Sequence, residues 1–386
     1  MAIGHQSSLE GIFDSPHPSV VFHDAASRRH AEELFSSLLD QLEVDGLGDG
    51  HGDGGGHGFR PVVMLRVMHQ VSLSQLSKDL FLNYFFASIR VDMAVGMAST
   101  IDIKDVRSRA VEFAQFLNGS FFGPLKAAGK RTPQPTPASF SVPFLSSEQS
   151  LPGSESRVAT LRRDCLIRDR HRCVITRQFD ENEAFRRTKK HGYDAADDDG
   201  VRFADMPETD EFELLEVAHI LPHSLMSMAN DDDRSIARRN ALAILEMLDT
   251  GVPHLFEGAS MDRPTNAITL TSGYHSVFGS FRTFFEAMDG PLHTYRIQSV
   301  LQSRGRRPLQ PITRTLFLSD TVDPPLPRLL AVHAAICRIL HLSGAGAYWD
   351  HIFREAEDEM ANADGSTSLG PLVTLRLGGW WDGKVV

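Results

Sequence analysis

An imidazole with a free pKa near neutrality can take a proton from water, and a neutral imidazole can also bind a divalent cation. This chain places two such rings on either side of an amide. His219 lies in Glu216-Val-Ala-His-Ile-Leu-Pro222, Asn266 heads Asn-Ala-Ile-Thr-Leu270, and His275 follows nine residues after the asparagine. Phosphodiester hydrolysis calls for parts of this kind. A base activates water, a cation stabilises the charge on phosphorus and on the leaving 3′ oxygen, and both are held in line. On that chemistry His219 is the candidate base and His275 a candidate metal ligand. Asn266 is the candidate for holding the loop that carries the base and setting its tautomer.

The elements around these residues are short. Phe212 to Ile220 is apolar enough for a strand, stopped by Pro222, and Asn266 to Leu270 reads as a second strand. Ser272 is placed to cap a helical turn carrying His275 and Phe278. On a strand Glu216 shares a face with Ala218, so its carboxylate is a further candidate ligand, as is Asp262 in the turn before Asn266. Upstream, Leu161, Cys165 and Arg168 share one helical face, and Cys173-Val-Ile-Thr176 reads as a strand or β-turn entry. Residues 188–211 are polar and acidic and read as a surface insertion. Phe281, Phe284 and Phe285, then Tyr295-Arg-Ile297, suggest strands that close the unit.

Composition narrows the function classes. Net charge is −11, with 39 Lys+Arg against 50 Asp+Glu, which argues against a protein that coats nucleic acid non-specifically. The charge is uneven, however: Arg157 to Lys190 holds eleven Lys/Arg against five Asp/Glu. Arg168, Arg170, Arg172, Arg186 and Arg187 are thus candidates to hold a phosphate backbone without reading sequence, with His223 as a further contact. Three cysteines make a disulfide framework unlikely and point to a reducing, intracellular compartment, nucleus or cytoplasm. Thr176 stands where a Cys-x-x-Cys partner of Cys173 would be, so no structural zinc is expected. No apolar run reaches the roughly 18–20 residues that span a bilayer, and the N-terminus has no signal-peptide pattern, so no membrane role is expected. His333 and Cys337 have helical ligand spacing, but Leu329, Ile336 and Leu340 make theirs a core stripe.

Taken together, Cys173-Val-Ile-Thr, Glu216-Val-Ala-His-Ile-Leu-Pro, Asn266-Ala-Ile-Thr-Leu-Thr, His275-Ser-Val-Phe-Gly and His293-Thr-Tyr-Arg-Ile297 resemble the HNH endonuclease family, in the branch found in uncharacterised fungal proteins. The resemblance covers about residues 160–300. It implies a ββα-metal fold with one divalent ion (Mg²⁺, Mn²⁺ or Zn²⁺) and hydrolysis of nucleic acid, DNA more than RNA. It makes His219 the general base, Asn266 the central asparagine and His275 the metal-binding histidine. Two positions depart from the family pattern. Ala218 stands where an Asp, Glu or His often ligates the metal, and Gly279 stands where a second ligand often follows the helix histidine. The alternative is therefore a catalytically degenerate HNH-fold module that binds nucleic acid or protein.

The expected architecture is an α+β protein in sequential parts. Residues 1–125 form a mixed α/β or helical domain with a Gly-rich loop at 46–58, open to a protein partner. A Pro/Ser-rich linker covers 126–156, the nuclease-like domain 157–300, and a C-terminal helical cap 301–386.

Overall fold

The computed structural model describes residues 22, 24–44, 58–91, 103–129, 154–207, 210–222, 232–256, 262–300 and 312–357. Most of the Gly-rich loop, most of the Pro/Ser linker and His223 lie outside them. The protein is α+β, and its chain forms two compact units that interleave in sequence. The first takes Met1–Ala128, Ser224–Leu255 and Ala335–Val386; the second takes Gly129–His223 and Phe256–Ala334.

The described elements of the first unit are helical. Helix α1 (Ala25–Leu42) starts where Asp24 accepts from the Ser27 amide at 2.7 Å, and it buries the stripe Ala31, Leu34, Phe35, Leu38, Leu39 and Leu42. Helices α2 (Pro61–Val71) and α3 (Gln75–Ile89) follow. The second is buried nearly all round, so no amphipathic period announced it. Phe35 meets Phe81 and Phe85 edge-on, with ring centroids 5.7 and 4.9 Å away. Helix α4 (Ile103–Leu117) runs through a π-turn at Asn118–Phe122 into α5 (Gly123–Gly129), so the sequence-expected linker begins inside a helix.

In the second unit, α6 (Ser154–Arg168) and α7 (Glu181–His191) precede a β-hairpin-like pair. Strand β1 (Leu215–His219) pairs antiparallel with β2 (Ala267–Thr271), from Leu215 opposite Thr271 to His219 opposite Ala267. Between them the chain leaves to form α8 (Asp232–Leu248) in the first unit. Range 157–300 is thus not one compact body. There Ser72 donates to the Met247 carbonyl at 2.7 Å, and the Leu73 amide to that of Leu248 at 2.8 Å.

Helix α9 (Ser272–Gly279) follows β2 directly, capped by Thr271 rather than Ser272: the Thr271 hydroxyl accepts from the Tyr274 amide at 3.4 Å. Strands β3 (Thr283–Ala287), β4 (Thr294–Ser299) and β5 (Ile312–Thr315) make an antiparallel sheet in that order. Helices α10 (Pro327–Leu342) and α11 (Ala345–Glu357) form a bent pair, and from Ala335 onward they belong to the first unit. Cys337 is fully buried. His333 is sandwiched by Phe278 and Phe281 with centroids 4.0 and 4.8 Å away, and desolvation pushes its pKa down to about 3, so it is neutral core. Among the described residues no single helix is long and apolar enough to cross a membrane.

Candidate functional site

Strand β1 sits between two helices, and alternation of its side chains gives each face its own group. Val217 packs with Leu161 and Cys165 of α6, so that face belongs to α6. Cys165 is fully buried and burial raises its thiol to about 12, which leaves it inert packing. Glu216 faces the other way and meets α9.

His219, at the end of β1, shares the Val217 face. Its Nε2 donates to Asp262 Oδ1 at 3.3 Å, and the Arg157 guanidinium lies 3.5 Å from Asp262 Oδ2. The His219 and Asp262 side chains keep only 4% and 6% exposure, whereas Arg157 keeps 57%. The carboxylate selects the tautomer with its proton on Nε2 and places the ring's lone pair on Nδ1.

Asn266 grips the chain just beyond the ring. Its Oδ1 accepts from the Leu221 amide at 3.0 Å and its Nδ2 donates to the Leu221 carbonyl at 3.1 Å. Its own carbonyl accepts from the Ile220 amide at 2.8 Å. The side-chain amide therefore pins Leu221 and the main-chain carbonyl pins Ile220, the two residues after His219, where the chain leaves β1.

On the α9 face, His275 Nδ1 donates to Glu216 Oε2, and Ser272 Oγ donates to Glu216 Oε1 at 2.9 Å. The hydrogen bond from His275 holds the Glu216 carboxyl below its usual range; partial burial works the other way, and Ser272 adds to the lowering. Glu216 and His219 are three residues apart, hence on opposite faces and about 10 Å apart along the strand.

These donors do not fit a ready-made divalent-ion site. Glu216 and His275 bind each other, Ala218 offers only a methyl group, and among the described residues no three His, Cys, Asp or Glu side chains gather as a cation cage. Gly279 has a steric reason to lack a side chain. A Cβ there would lie 2.1 Å from the carbonyl oxygen of Gly129, the residue that opens this unit.

The arginines expected at a phosphate backbone are mostly committed within the protein. Arg168 is buried, paired with Asp169 at 2.8 Å and donating to the carbonyls of Pro264 and Ala267 at 2.7 and 2.9 Å, so it braces β2 rather than facing a ligand. Arg170 pairs with Asp199 and Arg172 with Asp197, each at 2.5 Å; Arg187 pairs with Asp198 and Glu183, each at 2.7 Å. Arg186 bonds Glu183 but keeps 65% of its side chain exposed. The supposed surface insertion is in part the counter-charge for these arginines.

Residues 173–286 match the family model described as HNH endonuclease. This segment is an HNH-type domain. In it β1 carries His219, α9 carries His275, and Asn266 lies in the turn immediately before β2. No curated protein and no solved structure matches the chain. Sequence reading singled out neither Arg157 nor Ser272 for the site. Both sit at unremarkable polar positions, and only folding brings them to Asp262 and Glu216.

Proposed function

We propose that the HNH domain hydrolyses phosphodiester bonds of nucleic acid, with His219 as general base. The observation that carries this is the His219–Asp262 pair at the end of β1, within the HNH segment and followed by the Asn266 clamp. Asp262 fixes the ring's orientation and stabilises the imidazolium formed when Nδ1 takes a proton from the attacking water. Arg157, beside Asp262 and exposed, is the cation we assign to a non-bridging phosphate oxygen. The Asn266 bonds keep the base from drifting, and small displacements of a reacting group cost rate steeply.

A second reading is favoured by the α9 face: an HNH fold that binds nucleic acid without cutting it. The mutual bond of Glu216 and His275, and the packing at Gly279, remove donors that the family pattern supplies.

Plasmid nicking separates the two, run in Mg²⁺, Mn²⁺, Zn²⁺ and in chelator. The hydrolase reading expects nicking by the full chain and a loss of about 10²–10⁴-fold in His219→Ala, with the circular-dichroism spectrum unchanged. Absence of cleavage of plasmid and of single-stranded DNA and RNA in every condition, with nucleic acid still bound in a gel-shift assay, is the outcome the binding reading expects. Normal nicking by His219→Ala removes this residue from the mechanism.

A further inference from the structure

Helix α7 carries a face that no described residue packs against. Glu183 and Ala184 turn inward, whereas Phe185, Arg186, Lys189 and Lys190 are exposed, with Tyr193 in the turn that follows. Phe185 is 72% and Tyr193 92% exposed. At 100° per residue, positions 185, 186, 189 and 190 fall within one arc of about 140°. The neighbouring arginines Arg170, Arg172 and Arg187 are neutralised by Asp197, Asp198, Asp199 and Glu183. Among the described residues Lys189 and Lys190 have no carboxylate partner, and neither exposed ring has a stacking partner. Cations in a last helical turn are explained by the helix dipole alone. Two large exposed rings, one on that arc and one in the turn that follows, are not.

We propose that this face of α7 binds single-stranded nucleic acid, with Phe185 and Tyr193 stacking on unpaired bases and Lys189, Lys190 and Arg186 following the phosphates. Stacking takes any base and is unavailable in a closed duplex, so this face selects strand state rather than sequence. Lys189 and Lys190 give charge complementarity to phosphate on a chain that is acidic overall. The face is also fixed relative to the HNH strands. Asp180 caps α7 through the Glu183 amide at 3.1 Å, and its other oxygen accepts from the Leu215 amide of β1, also at 3.1 Å. Oligonucleotide held on α7 is therefore delivered in a set direction from the strand that ends in His219. The proposal rests on the nucleic-acid reading of the domain and names the substrate as single-stranded.

Fluorescence anisotropy in EDTA tests it without requiring cleavage. The full chain is titrated into labelled oligo(dT), oligo(U) and a blunt duplex of equal length. Both single strands are expected to bind more tightly than the duplex; a preference between dT and U assigns the strand as DNA or RNA, and equality means the shared chemistry suffices. Phe185→Ala with Tyr193→Ala is expected to weaken single-strand binding at least about tenfold and leave duplex binding unchanged. Lys189→Gln with Lys190→Gln is expected to reduce the slope of log Kd against log salt by about 1.4, roughly 0.7 per lysine. Leu292→Ala, at another exposed apolar side chain, is the control and is expected to change nothing. Unchanged single-strand binding in the aromatic variant overturns the proposal, as does a wild type that prefers duplex or binds neither. Binding that depends on this face in a chain that never nicks leaves the proposal standing and sinks the hydrolase reading. Nicking with no dependence on this face does the reverse.

Discussion

At the residue scale, two carboxylates decide what the two histidines can do. Asp262 leaves His219 a defined tautomer, and Glu216 takes His275 into a direct bond. Gly279 shows why a missing ligand is not readily restored. Gly279→Asp returns an oxygen donor to the position where the family often has one, but its Cβ meets a backbone oxygen at 2.1 Å. Backbone cannot swing aside as a flexible side chain does. We expect this substitution to destabilise the second unit by on the order of 3 kcal/mol, read as a lowered urea midpoint. Isothermal titration with Mn²⁺ should show no tighter binding than wild type. A stable variant that gains an ion would mean the Gly129–Gly279 approach is not fixed.

At the element scale, the segment around Asp197–Asp199 behaves as a clasp. Asp197 accepts from the amides of Asp199 and Val201 at 2.9 and 2.8 Å while pairing with Arg172, and Asp198 accepts from His171 and Arg187. Burial works to raise the Asp198 carboxyl, but the bonds from His171 and Arg187 outweigh it and hold it down to about 2, against 3.8 for the free group. A carboxyl lowered on folding contributes stability that is complete above its unfolded pKa and lost as pH falls through the folded one. Hydrogen-exchange protection in residues 195–203, taken against the intrinsic rate at each pH, should therefore fall between about pH 4 and pH 2, and Asp198→Asn should show the lower protection already at neutral pH. Equal exchange in wild type and variant at neutral pH would show that the clasp is held elsewhere.

At the scale of the whole molecule, the HNH domain is interrupted by a helix that packs in the other unit. The segment after His219 leaves to build α8, whose Ala241, Ile244, Leu245 and Leu248 are buried in the first unit, and returns before Asp262. An excised fragment 157–300 keeps those apolar side chains and loses what covers them. It also loses β5, which pairs with β4 from Thr294 opposite Thr315 to Ile297 opposite Ile312. We expect the fragment to aggregate or bind a hydrophobic dye, and the full chain to do neither. A soluble fragment with sharp, dispersed amide resonances would mean that the interruption is not structural.

The sequence by itself determined the elements that depend on neighbouring residues. The two short strands, the helical turn at His275 and the order His219, Asn266, His275 are local patterns, since side-chain direction repeats with period 3.6 or 2. It could not determine the helix α3, buried nearly all round, because an element whose apolar residues are not confined to one face has little period to read. Nor could it determine charge pairing. The same arginines read as a phosphate-binding run until folding brought Asp197, Asp198 and Asp199 against them, and Arg168 proved to be a buried brace. The partners Asp262 and Glu216 became definite only in three dimensions, as did the close approach at Gly279. A contact between residues distant in sequence leaves no spacing to detect, and only the packed chain sets which charge meets which.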